Sequence, residues 1–136
     1  MVTLVEGTPV RVAFKYRLHP VLHPRGTIQL YADWPGVMLS SLLGLPRVRV
    51  HRFKNGSIAV MRPGSADQFI AREILLWNIY RIRDSEIKED DVVLDVGAHI
   101  GLFTLFVHRL VPKGRILAIE PDPDNFHMLK ENIARN

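Results

Sequence analysis

The sequence predicts an α/β fold in which residues 84–136 form a parallel β-α-β-α unit, preceded by a β-hairpin and a helix over 47–83. Three observations carry this expectation. Asn55-Gly56 separates two alternating runs, Val48–Arg52 and Ile58–Met61; Asn-Gly in that setting signals a hairpin, because both turn positions need positive φ. Val92–Val96 and Arg115–Glu120 are short apolar runs separated by one helix-length segment. Strands that alternate with helices at this spacing build a parallel sheet with right-handed crossovers.

Residues 1–46 read as an N-terminal extension, punctuated by Pro9, Pro20, Pro24, Pro35 and Pro46. Within it Thr8–Tyr16 alternates as a strand does, and Val37–Leu43 reads as a short helix closed by Gly44 and Pro46. In the hairpin, Arg47, Arg49, His51, Arg52 and Lys54 read as one solvated basic face. Ser65, three residues before Gln68, is a capping box opening a helix that runs to about Tyr80, with Phe69, Ile70, Ile74 and Trp77 as its apolar stripe. Val92–Val96 is apolar except for Asp95, the pattern of a parallel strand covered on both faces. The turn from Gly97 to Gly101 leads into a helix of about ten residues, with Leu102, Phe106 and Leu110 on one face and Pro112-Lys113-Gly114 stopping it. Asp122 caps the last helix, Pro123 opens it, and Phe126, Leu129 and Ile133 form its inward face.

Composition narrows the function classes. Hydrophobic residues at 47% and charged residues at 24% are globular usage and argue against disorder. The apolar stretch Ile100–Val107 is too short for a bilayer span, so no membrane association is expected. The start of the chain has neither a basic region nor an apolar core like those of a signal peptide, which makes the cytoplasm the default location. The absence of cysteine excludes disulfides, thiolate nucleophiles and thiolate metal sites, and no metal site is expected. A net charge of +4 invites a nucleic-acid partner, but the basic residues are dispersed and identify none.

In an open parallel sheet, ligands sit beyond the carboxyl ends of the strands. Here those ends are Asp95-Val96-Gly97 and Ile119-Glu120-Pro121. Glu120 follows Gly97 by 23 residues, close to the ~20-residue offset at which a carboxylate takes ribose hydroxyls. Gly97 and Gly101 let the main chain approach a ligand, and the helix that follows offers N–H groups to a carboxylate. A pyrophosphate needs Gly-x-Gly-x-x-Gly, whereas this bend is Gly-x-x-x-Gly with Ala98, His99 and Ile100 inside it and Asp95 beside it. S-adenosylmethionine suits the bend better than NAD(P), since it carries an ammonium, a sulfonium, one carboxylate and no phosphate. Asp95 is expected to help fix the ammonium through main-chain groups or water, and Glu120 to hold the ribose.

Val93–Gly101 resembles motif I of class I methyltransferases, and Ala118–Phe126 resembles the segment after it. The match is to the FkbM family, whose members often read Asp-Val-Gly-Ala-Asn-Ile-Gly and then Glu-Pro-x-Pro-x-Asn-x-x-x-Leu-x-x-Asn. Glu120, Pro121, Pro123, Asn125, Leu129 and Asn132 fit that frame, and Arg62–Asp67 with Glu73 and Tyr80 is similar to the family's approach segment. His99 departs from the usual asparagine. The resemblance implies a partial Rossmann-like methyltransferase fold, S-adenosylmethionine as cofactor, and methyl transfer to a hydroxyl of a small molecule or sugar. It implies a cofactor set of Asp95, Gly97, Ala98, His99, Gly101, Glu120 and Pro121, with Asp67 as a further contact or, alternatively, a helix-dipole partner. No catalytic base is assigned; His51, His108 and His127 read as surface or packing residues.

The family's sheet has more strands than the two read here, so the sequence reads as the truncated first half of a cofactor-binding domain, silent in catalysis alone. Its unpaired sheet edge opens a route to homo-oligomers. The rivals are an RNA (tRNA) methyltransferase of the same fold, since Leu129–Ile133 also occurs in tRNA-modifying relatives, and an interaction module with a vestigial nucleotide loop.

Overall fold

The structure is a computed structural model, and it describes residues 24–44, 49–62, 64–81 and 87–136. The strand expected over Thr8–Tyr16 lies outside the described residues. The chain divides into two compact units, with the described residues up to Trp77 in one and those from Asn78 onward in the other.

The first unit contains α1 (Pro24–Leu30), α2 (Trp34–Leu42), β1 (Arg49–Arg52), β2 (Ile58–Met61) and α3 (Asp67–Leu75). Both early helices carry proline in the first turn, where its missing N–H costs nothing. α2 starts three residues before the sequence signal, and Gly44 beyond it is left-handed at φ 65°. α1 has no counterpart among the elements expected from the sequence.

β1 and β2 pair antiparallel, Val50 with Val60 and His51 with Ala59. The hairpin is present, but its turn differs from the expected one. Phe53 N–H donates to Ser57 O and Gly56 N–H to Phe53 O, and of Asn55 and Gly56 only Gly56 (φ 86°) is left-handed. This is a three-residue loop in which glycine alone takes the costly conformation.

The expected basic face is also corrected. Val50 is exposed at 45%, while His51 is buried at 2% with its ring centroid 5.2 Å from that of Tyr31. Tyr31 extends the hairpin through a bridge to Phe53, so the β1 face carrying His51 and Phe53 is the one that gains cover. α3 ends at Leu75, well short of Tyr80; Asn78 turns left-handed at φ 50° and the helix does not continue through it. Its buried face is Ala71, Arg72, Ile74 and Leu75, and Trp77 lies exposed, edge-on to Phe69.

The second unit contains β3 (Val92–Val96), α4 (Leu102–His108), β4 (Arg115–Ile119) and α5 (Pro123–Ala134). β3 and β4 are parallel neighbours in the register Val92↔Arg115 to Val96↔Ile119. Paired residues share a face, so Val93, Asp95, Ile116 and Ala118 point one way. Ala98, Ile100, Leu102, Leu105, Phe106, Val107, Val111 and Leu129 form the buried apolar set of this unit among the described residues. The other face is bare: Val92 is exposed at 71%, Leu94 at 59%, Val96 at 72% and Leu117 at 60%. The expectation of cover on both faces is corrected accordingly. α5 also turns differently from its apolar pattern: Leu129 and Asn132 are buried, while Phe126 and Ile133 are exposed. No helix among the described residues is long and apolar enough to cross a membrane.

Candidate functional site at the strand ends

Beyond β3 the chain reverses through a five-residue bend in which Gly97 (φ 81°), His99 (φ 53°) and Gly101 (φ 86°) are all left-handed. Glycine takes that conformation freely, and histidine is among the few other residues enriched there. The N–H groups of Gly97 and Ala98 both donate to the Ile119 carbonyl, at 2.8 and 3.0 Å, and Gly101 N–H donates to Ala98 O. The bend is therefore hung on the end of β4.

Glu120 leaves β4 one residue later and turns back onto this bend. Its Oε2 accepts from the His99 N–H at 2.7 Å, and its Oε1 accepts from the Asp122 N–H at 3.0 Å and the Asn125 side-chain amide at 3.4 Å. Asp122 in turn caps α5 by accepting from the Asn125 N–H at 2.8 Å. One turn thus starts the helix and holds the carboxylate.

Asp95 lies buried on the covered face of β3 and accepts a hydrogen bond from Thr104 Oγ1 of α4. Burial raises its pKa above the ordinary value; the Thr104 hydroxyl opposes the rise, and the charge of Glu120 adds to it. Two carboxylates that repel each other at one sheet end favour a cation there.

α5 supports the bend directly. Asn132 Nδ2 donates to the Ile100 carbonyl at 2.7 Å, and a Cβ on Gly101 would lie 2.6 Å from Leu129 Cδ1. At Gly97 the reverse holds: the residue is exposed and a Cβ there would meet nothing within 4 Å, so the main chain is open to an approaching molecule.

Of the residues singled out from sequence, Asp95, Gly97, Ala98, His99, Gly101 and Glu120 converge here, with Pro121 exposed beside Glu120. Asp67 belongs to the other unit. It is buried in the first turn of α3, accepting from the Arg62 main-chain N–H at 2.8 Å and forming a fork with the Arg62 guanidinium at 3.0 and 3.1 Å. Ser65 Oγ accepts from the Asp67 N–H, replacing the expected capping box with Gln68. His108 and His127 are exposed. Sequence reasoning places Asn125 and Asn132 in the frame of the resemblance without a role, and Thr104 stands out only as a break in the apolar run after Ile100.

The family described as TRM5/TYW2 methyltransferase domain matches residues 79–136. The 31-O-demethyl-FK506 methyltransferase FkbM of Streptomyces tacrolimicus is 40% identical over 90 residues, covering 65% of this chain and 34% of that protein. The methyltransferase sdnD of Sordaria araneosa is 39% identical over 69 residues, 51% of this chain and 26% of its own. A probable ribosomal RNA small subunit methyltransferase A of Methanococcoides burtonii is 38% identical over 78 residues, 56% of this chain and 27% of its own. The chain spans about a third or less of the length of these relatives. No solved structure matches it. What these proteins share with the chain is methyltransferase sequence, and the chain is accordingly similar to the FkbM-type S-adenosylmethionine-dependent methyltransferases and carries part of their Rossmann-like fold.

Proposed function

We propose that the ends of β3 and β4 form one half of an S-adenosylmethionine site, and that the protein methylates a hydroxyl of a small molecule or sugar. Bound there, the cofactor supplies a sulfonium methyl for in-line displacement by the acceptor oxygen. The observation that carries the reading is the Glu120 carboxylate held on the His99 N–H at 2.7 Å, in the same bend that leaves the main chain of Gly97 open.

The residues present fit the group. A carboxylate offers about four lone-pair positions, and Glu120 uses three, one of them in the long 3.4 Å contact with Asn125. Glu120 would offer the remaining position to one hydroxyl of a ribose diol and, on releasing the long Asn125 contact, a second position to the other. The bend's own N–H groups are largely committed to Ile119 and Glu120, which leaves little for a phosphate and favours a nucleoside without one. Asp95, buried on the covered face of β3, would add negative potential at the strand ends, where a cationic group of the cofactor is favoured. Asp67 is not part of the proposed set, because it is completely buried in the first turn of α3, held there by Arg62.

Calorimetry on the chain with S-adenosylhomocysteine tests the reading. Binding that NAD fails to compete supports it, and Glu120→Gln should weaken that binding by roughly tenfold or more, as expected when a charged hydrogen-bond acceptor is lost. Heat with NAD but none with S-adenosylhomocysteine overturns it.

The ribosomal RNA methyltransferase among the relatives favours a second reading, an RNA acceptor. Binding of structured RNA that weakens steeply with salt would select it over a small hydroxyl acceptor.

A further inference from the structure

We infer that Asn132 is a positioning residue of the cofactor site, fixing the bend through the Ile100 carbonyl; the cofactor part of this inference rests on the reading above. Asn132 sits in the last turns of α5 and is entirely buried. Its Nδ2 donates to Ile100 O at 2.7 Å across 32 positions of sequence. Ile100 is itself buried and stands between the left-handed residues His99 and Gly101.

The main-chain bonds of the bend hold it to β4, to itself and to the start of α4. Asn132 adds a restraint on the Ile100–Gly101 peptide from α5, and Leu129 fills the space below Gly101 that any side chain there would need. An asparagine amide suits the task because it can donate to the carbonyl without carrying charge into a buried site. With this anchor the His99 N–H stays aimed at Glu120; without it the buried carbonyl loses this donor and the peptide gains freedom to rotate. Helix α5 then acts on the site at both ends, through Asp122 and Asn125 at its start and Asn132 near its close.

The test uses the whole chain and two variants. Asn132→Leu keeps the branching and the number of side-chain heavy atoms and removes the donor. Asn132→Asp is nearly isosteric; ionised it opposes the carbonyl, and protonated it regains an O–H donor. Amide hydrogen exchange without ligand is the first readout. Faster exchange confined to Gly97–Gly101 in Asn132→Leu, with the amides of β4 unchanged, supports the inference, and unchanged exchange in the bend overturns it. Affinity for S-adenosylhomocysteine is the second. A loss of roughly tenfold in Asn132→Leu, with affinity regained by Asn132→Asp relative to wild type as pH falls, supports positioning; wild-type affinity in both variants overturns it. If the wild-type chain binds no S-adenosylhomocysteine, the cofactor reading fails by itself, and the exchange readout still decides the role of Asn132.

Discussion

Asp95 and Glu120 share a charge and a location, yet their surroundings differ. Glu120 is held by main-chain N–H groups, while Asp95 is buried with the Thr104 hydroxyl as its partner. A carboxyl whose folded pKa lies above its unfolded value stabilises the fold fully below the unfolded value, and that contribution is lost as pH rises through the folded one. The shift at Asp95 is upward, with burial as its main cause. The amide introduced by Asp95→Asn still accepts from Thr104 but never ionises. The unfolding midpoint of the variant relative to wild type should therefore be lowest in acid, climb from about pH 4 upward, and level off once pH has passed the raised folded value. A pH-independent difference from thermal melts across this range, or a fall, would contradict the assignment. His99 offers a second check at this scale. Its left-handed φ of 53° is tolerated by asparagine and resisted by β-branched residues, so His99→Asn should melt with wild type and His99→Val should cost about 1–2 kcal/mol. The acids and glycines of the site are legible in the sequence because each has a spacing rule attached. Thr104 is not, since a polar residue on an apolar helix face registers only as an interruption until its partner across the chain is known; Asn125 and Asn132 stand in the frame of the resemblance, but the frame does not tell which atoms they hold.

Among the elements that sequence and structure agree on, β3, β4 and the start of α5 have strong local signals: continuous apolar runs, and an Asp-Pro pair whose aspartate accepts the Asn125 N–H. Where they part is the choice of face. Apolar character alone points Phe126 and Ile133 inward, but the inner face of α5 is set by Leu129 under Gly101 and by Asn132 under Ile100. Its arginine neighbours point His51 outward, but the Tyr31 ring covers it. In both elements the deciding contact comes from a distant segment, which periodicity does not see. Two glycines make the same point as a paired prediction. Gly101 is left-handed, with no room for a Cβ beside Leu129, so Gly101→Ala should lower stability by about 2 kcal/mol. Gly36 lies inside α2, where a Cβ would meet nothing within 4 Å, so Gly36→Ala should raise it by ~0.5–1 kcal/mol. Urea unfolding of both variants measures the difference, and equal midpoints would show that the bend yields more easily than its contacts imply.

For the molecule as a whole, the bare face of the β3–β4 sheet outweighs any single site. Leu94 pairs with Leu117 and Val96 with Ile119 in the parallel register, which lines up a continuous apolar strip with valine at one end and only Arg115 to break it. Scattered apolar residues on a surface need no explanation, but a contiguous strip of strand residues is what water disfavours and other apolar surfaces cover. A two-stranded sheet is also short of the number that is stable without further packing. The sequence marks these residues as buried because continuous apolar runs belong to strands covered on both faces; the stretch matched in each of these relatives is about a third or less of that relative's length. We predict that the 136-residue chain self-associates at micromolar concentration through this strip. Light scattering should show a mass that climbs with concentration, and 1-anilinonaphthalene-8-sulfonate should fluoresce strongly on binding. Replacing the cross-strand pair by Leu94→Lys with Leu117→Glu puts opposite charges on neighbouring strands, which supports the sheet while wetting the strip. That double variant should be monomeric, bind less dye, and keep the thermal midpoint of the wild type at low concentration. A wild-type chain that scatters as a monomer throughout the micromolar range, or a double variant that associates as strongly, would show that the strip is not what drives association.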